Sequence, residues 1–231
     1  GFEIARLEDA GALTRLSAAP EGVGLICVRA ERLFEAGAGE ALELAAALCE
    51  GAAARTALIE SGLTPDLAAA RIEVVYGADA DVHLTIAKLR AARRAWAKVA
   101  EAFGVSEQAR AMSQHVVTSA RMLTARDAYT NLIRNACAGL AAAAGGADSL
   151  TVRPFTDALG PATPFARRMA RNLQVLLMEE SHLGKTADPA GGGFLHETLG
   201  ARIAEAGWAL FQEIERRGGL FEAVKSGWLQ G

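Results

Sequence analysis

The sequence predicts an α/β fold built from four parallel strands, each followed by a helix. This is either half of a (β/α)8 barrel or a small doubly wound sheet. Two observations predict it. Short apolar, β-branched runs alternate with long alanine-rich stretches of helical period, and this alternation implies parallel strands joined by helical crossovers. The runs number four, too few to close a barrel of the usual eight strands. The sheet therefore stays open, pairs with another half, or belongs to a longer protein. A hydrophobic fraction of 51% suffices for one sizeable core, so residues 1–231 are expected to form a single domain.

The elements follow in order. Ile4, Leu7, Leu13 and Leu16 recur at near-helical spacing, so residues 1–20 read as a helix leading into the first strand, residues 24–29. Residues 37–61 form a helix with Leu42, Ala45, Ala46 and Cys49 on one face. Thr64 and Pro65 pair an N-cap with proline at the first helical position. Residues 72–76 are the second strand. Residues 81–103 are a helix carrying Leu84, Lys88, Ala91 and Ala95 along one side, stopped at Gly104. Residues 112–118 are the third strand, and 127–144 a helix ending at Gly145-Gly146. Residues 149–153 are the fourth strand, closed by Pro154. A helix over 165–180, a glycine-containing loop over 188–193 and a long amphipathic helix follow. The last has Ile203, Leu210, Phe211 and Ile214 on one face and ends at Gly218-Gly219.

Charge and composition exclude several function classes. The chain has 24 Lys+Arg against 27 Asp+Glu, a net charge of -3, so no basic excess points to nucleic acid or an anionic membrane. Cys27, Cys49 and Cys137 are far apart, form no CxxC pair and suggest reduced thiols in a cytoplasmic protein. The four histidines lack metal-ligand spacing, and no metal site is expected. No leader pattern and no apolar run of about 18 residues is evident, so no signal peptide or membrane span is expected. The chain opens on Gly1 rather than Met, as a processed chain or a fragment would. There is no Gly-x-Ser-x-Gly elbow for nucleophilic chemistry. Glu179 and Glu180 are adjacent and do not face each other on a helix, so they make no acid–base pair.

Several ordered blocks carry a resemblance. They are Glu35-Ala36-Gly37-Ala38; Ile86 through Arg93; Thr118-Ser119 with Leu123 through Asp127; Tyr129 through Arg134; Phe165 through Arg168 with Ala170-Arg171-Asn172; Glu179-Glu180-Ser181; and Asp188-Pro189 with its glycines. Over about residues 23–227 the sequence resembles the barrel domain of the methylmalonyl-CoA mutase family, the adenosylcobalamin-dependent acyl-CoA mutases. The resemblance implies a barrel that threads acyl-CoA along its axis, with these four strands as the fifth to eighth. It also implies an isomerase in which cofactor homolysis starts a radical rearrangement. The family's cobalamin domain carries an Asp-x-His-x-x-Gly motif that does not occur here. The chain alone is therefore expected to bind no cobalamin, the adenosylcobalamin belonging to a partner.

The resemblance breaks where substrate would be held. Catalytic members read Tyr-His-Met-Gln before the Glu-Ala-Gly-Ala block; here Glu31, Arg32, Leu33 and Phe34 stand there. Arg32 is a fixed cation that cannot act as an acid, though it could polarise a carbonyl or pair with Glu31. The His-Thr-Gln-Ser-Leu-His-Thr-Asn of the eighth strand becomes residues 146–153, with Asp148 in place of a substrate-facing polar group. Arg-Asn-Thr-Gln becomes Arg171-Asn172-Leu173-Gln174. His115 aligns with a family histidine, its neighbours replaced by Ser113 and Val117. These changes are similar to the small, non-catalytic subunits of heterodimeric mutases.

The expected site residues are Arg32, Glu31 and His115 for chemistry and Ser113, Asp148 and Asn172 for substrate contact. His182 and His196 are expected to be solvated and His83 to lie at a helix start. The basic run 88–94 could face CoA phosphates, but reads better as a solvated face or interface. The glycines at 191–193 read as a flexible loop rather than an anion nest. The principal expectation is a structural partner of a catalytic mutase subunit or of a missing half barrel. The alternatives are a divergent chain that helps form the isomerase site through Arg32, and a half-barrel assembly module without catalysis.

Overall fold

The computed structural model describes residues 26–230. The helix expected in residues 1–20, and the first two residues of the first strand, lie outside them. Four strands, β1 (Ile26–Arg29), β2 (Ile72–Ala78), β3 (Ser113–Thr118) and β4 (Ser149–Thr151), form one parallel sheet in sequential order. Each is followed by helix, as expected: α1 (Glu31–Glu35) and α2 (Glu40–Glu60) after β1, α4 (Val82–Ala102) after β2, α5 (Thr130–Ala144) after β3 and α6 (Pro164–Glu179) after β4. A short α3 (Pro65–Ala70) precedes β2, and α7 (Phe194–Arg216) and α8 (Leu220–Lys225) close the described chain.

Alternation along the strands assigns their two faces. Val28, Ile72, Val74, Tyr76, Ala78 and Val116 join the main core beneath the helices. The opposite residues, among them Arg29, Glu73, Val75, His115 and Thr151, line a hollow of about 490 Å³. One face covered by helices and one hollow face is the arrangement of a barrel cut in half. β1 and β4 are the two edges of the sheet.

The helix boundaries follow local chemistry. Thr64 caps α3 through a hydrogen bond from the Leu67 N–H, with Pro65 in the first turn. Asp81 caps α4 by accepting from the Leu84 N–H at 3.0 Å, and Thr163 with Pro164 opens α6 in the same way. α5 starts three residues later than the apolar pattern suggests. Asp127 takes a left-handed backbone, φ 54°, and its carboxylate accepts the Thr130 hydroxyl at 2.7 Å. β4 stops short of Arg153, whose N–H turns to the Thr118 Oγ1 at 2.8 Å instead of the ladder. The helix α1 has no counterpart in the sequence reading.

α7 packs on both α2 and α4. Gly207 makes the approach to α2 possible: a Cβ there would lie 2.8 Å from Leu44 Cδ2 and 3.2 Å from the Ala41 carbonyl oxygen. Ile203 and Ile214, two of the expected apolar positions on this helix, are buried. Gly207→Ala is expected to destabilise the protein by about 1–3 kcal/mol, read as a lowered urea midpoint with unchanged slope.

Candidate functional site

In α/β barrels chemistry sits at the C-terminal ends of the strands, and here that end is occupied by a pinned cluster. β1 ends at Arg29, opposite Val75, so no β1 residue stands opposite Gly77. The Gly77 N–H donates to Glu43 Oε1 at 2.7 Å. Lys88 Nζ donates to the Gly77 carbonyl at 2.7 Å and to Glu43 Oε2 at 2.5 Å. Both side chains are fully buried. Burial pushes the Glu43 carboxyl above its ordinary range, against the pull of Lys88 and the Gly77 N–H. A salt bridge between α2 and α4 thus completes the hydrogen bonding of a β2 residue.

Phe34 fills the space above. It is fully buried, and a Cβ on Gly77 would come within 2.4 Å of its ring. Lys88 Nζ and the Arg121 guanidinium lie 3.7 and 3.4 Å from the ring centroid, a cation–π arrangement strengthened by exclusion of water. Arg121 also donates to the carbonyls of Phe34 and Ala38, both at 2.9 Å, and pairs with Asp79 at 2.9 Å. Glu35 accepts the N–H groups of Ala120 and Arg121. Buried Asn131 donates to the carbonyls of Thr124 and Phe155. The segments after β1, β2, β3 and β4 are therefore bound to one another at this end.

The expected site residues do not converge. Glu31 is buried and pairs with Arg29, not Arg32, through a hydrogen bond from Arg29 Nε at 2.5 Å. Its Oε2 is buried without a partner. Arg32 is exposed and lines a different space, a cavity of about 890 Å³ along the β1 edge of the described sheet that it shares with Glu50 and Glu215. Burial raises the Glu50 carboxyl, with Arg32 lowering it. His115 lies on the hollow face with both ring nitrogens engaged, Nδ1 with Ser149 Oγ at 2.6 Å and Nε2 with Thr151 Oγ1 at 3.0 Å. Ser113 is exposed at the start of the same strand. Asp148 accepts the Gln114 N–H at 2.8 Å and pairs with Arg93, fastening the N-terminal ends of β3 and β4. Asn172 is exposed on α6.

The basic run is mostly an internal interface, with only Arg94 exposed. Lys88 is buried, Arg90 pairs with Asp188 at 2.5 Å and with Glu197, and Arg93 binds Asp148 and the Gly146 carbonyl. The Gly192 N–H donates to Glu197 at 3.3 Å, so the glycine loop is tied to α7. His196 is not simply solvated either: its Nε2 lies 3.1 Å from His83 Nδ1. Sequence reasoning missed Phe34, Glu43 and Arg121. Lys88 carried a usable signal, because it lies on the apolar stripe with Leu84, Ala91 and Ala95.

Residues 17–231 match the family described as methylmalonyl-CoA mutase. The chain belongs to the methylmalonyl-CoA mutase family. It is 48% identical over 206 residues to the methylmalonyl-CoA mutase small subunit of Streptomyces virginiae, covering 89% of this chain and 33% of that protein. It is 44% identical over 200 residues to the small subunit of Propionibacterium freudenreichii subsp. shermanii, covering 86% and 31%. The methylmalonyl-CoA mutase of Escherichia coli K12 is 36% identical over 203 residues, covering 87% and 28%. The chain thus spans about a third of the length of the curated small subunits it matches. The family cofactor is adenosylcobalamin, which would require a nitrogen donor with a free lone pair if this chain held it. His115, the one histidine on a strand, has both nitrogens committed, so the hollow face does not fit that role. Among the described residues no group of three or more His, Cys, Asp or Glu side chains is placed to hold a metal ion. No described helix is long and apolar enough to cross a membrane.

Two outcomes test these buried and partly buried ion pairs. Lys88→Met leaves Glu43 buried without its cation and is expected to cost about 3–5 kcal/mol in urea denaturation. Adding Glu43→Gln should recover part of that loss. The hydrogen bond from Arg90, with the Gly192 N–H, holds the Glu197 carboxyl below its ordinary value. A depressed carboxyl stabilises the fold above its unfolded pKa, and the contribution is lost as pH falls through the folded value. Glu197→Gln should therefore lower the Tm at pH 7, and the difference from wild type should shrink progressively as pH falls below about 4.

Proposed function

We propose that this chain is the C-terminal half of the barrel of a mutase small subunit. It acts as a structural partner of a catalytic subunit that carries adenosylcobalamin and interconverts methylmalonyl-CoA and succinyl-CoA. The observation that carries this reading is the filled strand end: Phe34 is buried beneath Lys88 and Arg121 where an active barrel would receive its thioester. The small-subunit names of the relatives support it. In this reading the 231 residues form one structural unit of a cytoplasmic heterodimer, and the cofactor and the acyl-CoA lie in the partner.

The chemistry of the residues present agrees. Radical isomerisation needs a group that polarises the thioester carbonyl and a dry path for the substrate. Glu31 is neutralised by Arg29 at the end of β1, and His115 is saturated by two hydroxyls. Arg32, the candidate of the divergent-enzyme alternative, lines the β1-edge cavity beside Glu50 instead of the hollow face.

The test uses the full-length protein that contains this chain, alone and mixed with its catalytic partner, assayed with adenosylcobalamin and methylmalonyl-CoA. No turnover above background is expected from the protein alone, and turnover is expected from the mixture. Arg32→Ala should leave the rate of the mixture unchanged. Turnover by the isolated protein would sink the reading. Loss of rate in Arg32→Ala with an intact complex would favour the divergent-enzyme alternative.

A further inference from the structure

The outer face of α5 is apolar where barrel helices ordinarily turn polar groups to water. Tyr129, at its N-terminus, is 68% exposed and Ile133, one turn on, 67% exposed. Leu140 continues the line two turns later and is also exposed. Phe165, at the start of the neighbouring α6, adds a half-exposed ring. α5 packs with α4 on one side and α6 on the other. Completing the barrel would add helices at the edges of the sheet, beside β1 and β4, and not over the outside of α5. α7 covers α2 and α4 from outside, whereas the short turn Leu183–Lys185 touches α5 and leaves Tyr129 and Ile133 exposed.

The patch is built rather than incidental. Tyr129 stacks on buried Phe155 with centroids 5.3 Å apart, and Phe165 meets the same ring edge-on at 6.1 Å. Two exposed aromatics are thereby held against a fixed anchor, the kind of rigid surface that dominates interface energetics. Around it the charge is mostly positive. Arg126 precedes the stripe, and Arg167, Arg168 and Arg171 stand on the first two turns of α6. None of the four has an ion pair among the described residues. Arg168 lies over the Phe165 ring at 5.4 Å. The nearby carboxylate of Asp127 is turned to the Thr130 hydroxyl.

We propose that the outer face of α5 and the start of α6 dock an acidic amphipathic helix of the catalytic subunit. This rests on the small-subunit reading above. The line from Tyr129 to Leu140 is about 16 Å long at the helical rise. Its anchors Tyr129, Ile133 and Leu140, at i, i+4 and i+11, offer the length of a partner helix of about three turns laid against them. The four unpaired arginines select carboxylates on that helix's flanks. Their unpaired state here is the complementary half of that contact.

The experiment measures binding of the full-length protein to its catalytic subunit by calorimetry, for wild type, Ile133→Asp and Arg168→Glu. Each variant is expected to raise Kd about tenfold or more, with an unchanged unfolding midpoint because both positions are exposed. Wild-type binding should weaken as salt rises from low to physiological strength. Wild-type affinity in both variants, with wild type itself binding, overturns this inference and leaves the small-subunit reading standing. A lowered unfolding midpoint in Ile133→Asp places the occupant elsewhere in the same chain and overturns it. Loss of a homodimer in sedimentation, with the heterocomplex intact, assigns the face to a second copy and overturns it. Failure of the wild-type protein to bind the catalytic subunit overturns both.

Discussion

Lys88 and Glu43 exchange water for each other at the end of β2, and the packing around them follows from that exchange. Two charges out of water are costly unless every polar atom finds a partner. Here the Gly77 N–H and carbonyl and the Phe34 ring supply the remaining contacts. The pair needs Gly77 to have no side chain, because Phe34 occupies that space. Phe34 needs α1 to turn back over the sheet, and α1 is held by Arg121 and Glu35. The cluster is a chain of mutual requirements, so single changes within it are felt several residues away.

The same cluster separates ancestry from chemistry. A barrel that admits a substrate must keep the ends of its strands open and leave some polar groups unsaturated until the ligand arrives. In this chain the polar groups at the strand ends largely satisfy one another, and Arg29, Glu31 and His115 are joined to side chains of their own sheet or its first helix. On the small-subunit reading proposed above, an architecture shared with an isomerase family is kept for its shape while the ends of its strands are filled.

Much of the fold was legible in the sequence because it rests on local chemistry. The strands are β-branched runs, and the helix starts at Thr64 and Asp81 are capping residues whose side chains act within four residues. The site was less legible because it depends on distant pairs. Nothing local says that Glu31 turns to Arg29 rather than to Arg32. Glu43 and Lys88 are 45 residues apart, and His83 and His196 are 113 apart. The position of Lys88 on an apolar stripe was the one local trace, obscured by the arginines beside it. The late start of α5 depends on a left-handed Asp127, a conformation that Asp tolerates but does not advertise.

The reach of α7 has a bearing on how the protein is made. Leu44, in α2, and Ala87, in α4, are met by Gly207 and Gly200, which emerge from the ribosome more than a hundred residues later. Until then the outer surfaces of two finished helices stay uncovered while synthesis continues. During that interval the nascent chain presents apolar surface to whatever is nearby, which is the condition that chaperones serve. α7 is therefore the latch over α2 and α4, and its arrival, rather than completion of the fourth strand, ends their exposure.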